Sequence, residues 1–235
     1  MAKIFRRIRE NLLFGGQSAK YLKYALGEII LVVIGILIAL QVNNWNEQKK
    51  ADKKRQTIYA MINSDLEGDI AAVNEVIAYY ERREPYIQHV LDGTLGKNDY
   101  SDSTYFSLVT YAPRISVTTR GFDLLKSASD DTAAEDPLQI AIAEFYNLTT
   151  SRFDFLNDYI ISDIEDNFSH WKQNHSWYPD YILRRNLDAF IAYTLTDADY
   201  KNRVASYYFV HYGIAIGYLQ EFVEHANRLK EMIPE

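Results

Sequence analysis

The apolar positions of this chain fall into two regimes. Between Ala25 and Val42 they are almost unbroken (ALGEIILVVIGILIALQV), whereas beyond Ile58 they recur every three or four residues. The first regime predicts a helix that is apolar on all sides. At ~1.5 Å per residue it is about 27 Å long, enough to cross a bilayer core. The second regime predicts amphipathic helices packed on one another. Ile58, Ile62, Leu66, Ile70, Val73, Ile77 and Tyr80, then Ile87 and Leu91, mark one long helix, and Asp92-Gly93 and Gly96-Lys97-Asn98-Asp99 mark the loop after it.

Farther on, short helices are expected near 102–111 and 119–128. Asp136-Pro137 is a helix start, with Asp as N-cap and Pro at the first position. That helix runs to about His175, Ser176–Asp180 interrupts it, and a shorter helix follows over 181–195. Thr196-Asp197 opens a last helix ending near Met232, with Tyr200, Val204, Tyr207, His211, Ala215, Phe222, His225 and Leu229 on its stripe. The expected fold class is all-α: an N-terminal transmembrane helix followed by an antiparallel bundle of long helices. The expected divisions are a basic amphipathic segment (1–23), the transmembrane helix (24–43), a helical stalk (44–57) and an extramembrane helical domain (58–235).

Composition sharpens this picture. Gly (10) and Pro (5) are scarce, which disfavours a turn-rich β architecture, and the absence of Cys removes disulfides and thiolate chemistry. Charge is asymmetric. Residues 1–55 carry eleven Lys/Arg against four acidic residues, while the remainder is strongly acidic, for a net charge of −7. The basic part flanks the apolar run, where anionic headgroups attract it. The acidic part repels phosphates, so nucleic acid is not an expected partner. Ile4, Phe5, Ile8, Leu12 and Leu13 share a helical face opposite Arg6, Arg7 and Arg9, as in a helix lying on membrane lipid. Leu40–Asn44 offers no small-x-small site for signal cleavage. Lys/Arg numbers on the two flanks are nearly balanced. The basic N-terminal segment favours a cytoplasmic N-terminus and a periplasmic C-terminal domain.

Within the span, helical geometry places Gly35, Ala39 and Asn46 within about 20° of Glu28, with Tyr24 about 40° away. An ionisable side chain inside a membrane is costly, and Gly35-x-x-x-Ala39 is a small-xxx-small notch that admits a second backbone. The stripe Tyr24, Glu28, Gly35, Ala39, Asn46 is therefore the expected face for helix–helix contact, with itself or with a membrane partner.

The stretch FRRIRENLLFGGQSAKYLKYALGEIILVVIGILIALQVNNWNEQ (Phe5–Gln48) resembles the N-terminal signature of domain-of-unknown-function family 6090, single-pass proteins of Bacteroidota. TTRGFDLLKSAS (Thr118–Ser129) and EFY (Glu144–Tyr146) resemble its weaker internal pattern; a Gly expected in that pattern after the Lys-Ser step is replaced by Ala128-Ser129. The resemblance implies a membrane protein of Bacteroidota and implies no activity; the expected location is the bacterial inner membrane.

No catalytic, cofactor or metal motif stands out: there is no Gly-rich phosphate loop, no G-x-S-x-G and no H-E-x-x-H. His211 and His225 are fourteen residues apart on one stripe, too far to share an ion, and read as hydrogen-bonded core histidines. His170 and His175 are five apart, one more than a helical ligand pair, so no metal site is expected there. The acidic run Asp130, Asp131, Glu135, Asp136 lacks a calcium-loop pattern. Trp171, Trp177, Tyr178 and Tyr181 exceed the needs of one stripe and form a possible aromatic binding surface. The expected function is a membrane-anchored helical module, not an enzyme, that binds a membrane or envelope protein or a second copy of itself. The alternative is a ligand-sensing helical bundle that passes a signal to a membrane partner. A closed core with an exposed apolar patch favours the first, and a buried aromatic pocket with convergent polar groups the second.

Overall fold

The computed structural model describes residues 18–128 and 136–234. The expected lipid-surface segment before Ser18, and Asp130, Asp131 and Glu135 of the acidic run, lie outside the described residues. Among the described residues every regular element is helical. The chain divides into a unit ending at Arg55 and a second beginning at Gln56. Helix α1, Ser18–Leu91, belongs to both.

In the first unit, α1 carries the apolar run. Among the described residues it is the one helix long and apolar enough to cross a membrane, and its most apolar window is wholly unburied. A soluble core helix would bury that window, because so much apolar surface is unstable in water.

The second unit is built from three long rods. These are α1 from Ile58 onward, α3 (Pro137–Asn174), and a C-terminal rod made of α6 (Ala198–Tyr208), a π-helical stretch (Phe209–Ala215) and α7 (Ile216–Met232). Shorter α2 (Arg120–Ala128), α4 (Tyr178–Ile182) and α5 (Asp188–Thr196) fill the connections. Asp136 caps α3 by accepting from the Leu138 amide, and Asp197 caps α6 by accepting from that of Asp199. The C-terminal rod runs antiparallel to both neighbours. Lys230 meets Glu67 at 2.9 Å while the Tyr212 hydroxyl donates to the Tyr80 carbonyl, and Arg152 pairs with Glu221 while Arg203 pairs with Asp166. Helices α1 and α3 share a direction, because the chain returns between them as an extended segment, residues 111–119.

Buried polar side chains hold that return. Asn167 donates to the Val109 carbonyl at 2.9 Å, and Asn157 bonds both backbone groups of Ile115. Asp69 accepts from the amide and hydroxyl of Thr118, and Asp65 accepts from Arg120 and from the Gly121 amide. An extended strand without a ladder leaves its amides unpaired, so burial requires such partners.

Two apolar clusters fill the unit. One joins Ile62, Leu66, Ile142, Tyr146, Leu219 and Phe222. The other is rich in rings: Tyr100, Tyr105, Trp171, Trp177, Tyr181, Phe190, Tyr193, Tyr200 and Tyr207. Two expected helices differ from the sequence reading. In place of a helix near 102–111 there are two 3₁₀ turns, Lys97–Ser101 and Ser103–Ser107, the second capped by Asp102. The helix expected over 181–195 is split into α4 and α5, where Arg184 and Asn186 turn the chain through positive φ (52° and 43°).

Candidate functional site

The expected contact stripe stands on the unburied part of α1. Tyr24, Glu28, Gly35, Ala39 and Asn46 are all exposed, and no atom lies within 4 Å of a Cβ built on Gly35. Apart from the helix's own backbone, nothing among the described residues fills the space over Gly35. Trp45 lies one turn before Lys49, whose ammonium sits 5.3 Å from its ring.

The aromatic group expected at a surface lies largely inside. Trp171 is 1% exposed, Trp177 8% and Tyr181 3%, with Tyr178 half-buried. Trp171 packs edge-on against Trp177, Tyr181, Phe190 and Tyr193. Its indole N–H donates to the Tyr193 hydroxyl at 3.0 Å, and the Tyr181 hydroxyl donates to the Phe106 carbonyl at 2.8 Å. The rings in excess of one stripe are consumed where α3, α4, α5 and α6 meet, and the polar tips of Trp171 and Tyr181 are satisfied internally. They form a core rather than a binding surface.

A polar cluster borders this core, where α3 ends and α6 begins. His170 lies in the last turns of α3. His175 is the first residue past that helix, with extended backbone (φ −127°, ψ 122°). It stacks on Trp177 at 4.8 Å and lies 4.6 Å from the Tyr193 ring. Asp199, in the first turn of α6, faces His170 with 3.3 Å between Oδ2 and Nε2. The same Oδ2 accepts from the Tyr193 hydroxyl (2.6 Å) and from Arg203 Nε (2.8 Å). Arg203 also reaches Asp166 and Asn167, tying α6 to α3.

The spacing of five that argued against pairing His170 with His175 is no obstacle. The helix stops at Asn174, so His175 is freed from helical geometry and its ring lies 5.6 Å from that of His170. Asp199 is distant in sequence, and nothing local points to it. His175 Nε2 is shielded from solvent and has no hydrogen-bond partner. Burial, and then the neighbouring His170, lower the His175 pKa and favour its neutral ring. Partial burial would raise the Asp199 carboxyl, but the Arg203 and Tyr193 hydrogen bonds hold it below the usual carboxylate range.

The two stripe histidines part company. His211 is fully buried, and its Nδ1–H donates to the Tyr207 carbonyl at 2.8 Å, whereas His225 is half-exposed beside Glu221 and is not a core residue.

A family model described as a family of unknown function matches residues 28–168, three-fifths of the chain. The match takes in most of the apolar run and the segments Thr118–Ser129 and Glu144–Tyr146. Comparison with curated proteins and with solved structures gives no match.

Proposed function

Because the chain belongs to DUF6090, a family of unknown function, membership brings no activity with it, and we propose that it is a membrane-anchored helical interaction module. The anchor would cross a bacterial inner membrane once, with its N-terminus cytoplasmic. The helical unit would act in the periplasm on another envelope or membrane protein.

One observation carries this reading: the core is closed while a large apolar strip is left outside. Leu148 (45% exposed), Phe155 (60%) and Tyr159 (45%) align along one face of α3, and Phe155 and Tyr159 stack. Large apolar side chains aligned on a folded surface mark contact sites more often than chance. The sensing alternative needs an internal pocket. Among the described residues, the hollow bounded by Phe145, Thr149, Phe153, Tyr218 and Phe222 is about 20 Å³, room for a single water, whereas the larger hollows, about 510 Å³ beside Phe122 and Asn147 and about 370 Å³ beside Leu148 and Met232, are open surface grooves.

Phe155→Asp tests the proposal. The side chain is exposed, so thermal stability should move by less than about 0.5 kcal/mol. Association with the partner, read by crosslinking in intact membranes, should fall at least tenfold. Unchanged association would contradict the assignment of this strip.

A further inference from the structure

We infer that His170, His175 and Asp199 form a binding site for one divalent transition-metal ion of the zinc type, clamped between the end of α3 and the first turn of α6. The donor atoms of the three residues all lie within 4.8 Å of one another. Donors around a tetrahedral zinc ion with ~2.1 Å bonds are about 3.4 Å apart, so closure asks for side-chain adjustments of about 1.4 Å. Two imidazoles and a carboxylate suit zinc and its neighbours in the first transition row. Calcium and magnesium prefer all-oxygen shells.

The cluster has an unmet need that an ion would satisfy. His175 Nε2 is buried without a partner, although the ring is fixed by Trp177 and Tyr193. Such an orphaned nitrogen costs free energy unless a donor or a cation meets it. The Asp199 Oδ2 that faces His170 accepts from Tyr193 and Arg203, which hold the carboxylate in place. Hydrogen bonds of this kind from outside the ligand set orient metal-binding carboxylates. Arg203 is the local opposing charge. It is matched by Asp166, and Asp199 binds it through Oδ2, so the guanidinium is neutralised by carboxylates on both sides.

Three protein ligands leave a fourth position, open to water or to a group from outside the chain. All three residues lie beyond residue 168, outside the segment that the family match covers.

The test uses the full-length protein in detergent, stripped with EDTA and titrated with Zn²⁺ against a chromophoric chelator. Wild type should take up one zinc ion per chain, and Co²⁺ in its place should give the intense visible absorption of a tetrahedral site. Zinc should also raise the melting temperature in a concentration-dependent way. His175→Phe keeps the stacked ring and removes the donor nitrogen. Asp199→Asn keeps acceptors for Tyr193 and Arg203. Each should weaken zinc binding at least tenfold with an unchanged circular dichroism spectrum, and His225→Ala should bind as wild type does. Wild type without stoichiometric zinc would overturn the inference, and so would His175→Phe and Asp199→Asn binding zinc as tightly as wild type.

Discussion

Asn157 on α3 grips Ile115 by both ends of its side chain. The Ile115 amide donates to Asn157 Oδ1 at 3.1 Å, and Asn157 Nδ2 donates to the Ile115 carbonyl at 2.6 Å. All of these groups are buried. The amide thereby replaces the strand that the returning segment lacks. Asn157→Leu keeps the branched outline of the side chain and leaves both backbone groups of Ile115 unpaired. It should cost roughly 2–4 kcal/mol, read as a lower urea midpoint or melting temperature. A loss below about 0.5 kcal/mol would show that the return is held by its apolar contacts alone.

The segment Thr118–Gly121 docks on α1 through Asp65 and Asp69, and Gly121 is its closest approach. A Cβ there would lie 2.7 Å from Ile62 Cγ1 and 2.9 Å from the Ile62 backbone nitrogen. Backbone cannot move aside as a flexible side chain can, so Gly121→Ala should destabilise by about 1–3 kcal/mol. It should also loosen the Asp65 contacts, seen as faster exchange of the amide at position 121. A neutral effect in thermal melts would mean that α1 and α2 separate without penalty.

His211 makes stability depend on pH. Burial in the π-helical stretch against Tyr80 and Tyr207 lowers its pKa from 6.5 to about 4. In the unfolded chain the ring takes up a proton below pH 6.5, and in the folded chain not until about 4. Its contribution is therefore fully present above 6.5 and is lost as pH falls towards 4, about 3 kcal/mol in all. His211→Gln should flatten this part of the stability–pH curve. Parallel curves for wild type and variant would refute the assignment.

In the membrane, Gly35→Leu fills the open notch beside Glu28 and Ala39. Helix association through that face, measured by a membrane two-hybrid signal, should drop several-fold, whereas Ile34→Leu on another face should leave it unchanged. An unaltered signal for Gly35→Leu would assign the anchor to lipid contact only.

Much of this architecture is legible in the sequence, and the limits have physical causes. The apolar N-terminal run, the long helix ending at Leu91 and the caps at Asp136 and Asp197 follow from local pattern, because each depends on neighbours in sequence. The TTRGFDLL segment is recognisable as a motif, but its roles are not: Thr118, Arg120 and Gly121 bind carboxylates some fifty residues earlier. Asn157 and Asn167 read as unremarkable helix residues until the return segment passes beside them. Trp177 and Tyr181 look like surplus rings because α4 and α5, which help to bury them, are too short to leave a periodic signal. His175 pairs with His170 only because α3 ends one residue before it.

Site-specific photo-crosslinking in living cells, with benzoylphenylalanine at position 155 of the full-length chain and at Asp154 as control, tests the interaction reading most directly. The account predicts one discrete crosslinked species of envelope or membrane protein from position 155, absent from position 154 and abolished by Tyr159→Asp. A chain that yields no specific adduct from position 155, while the control site behaves identically, would contradict it.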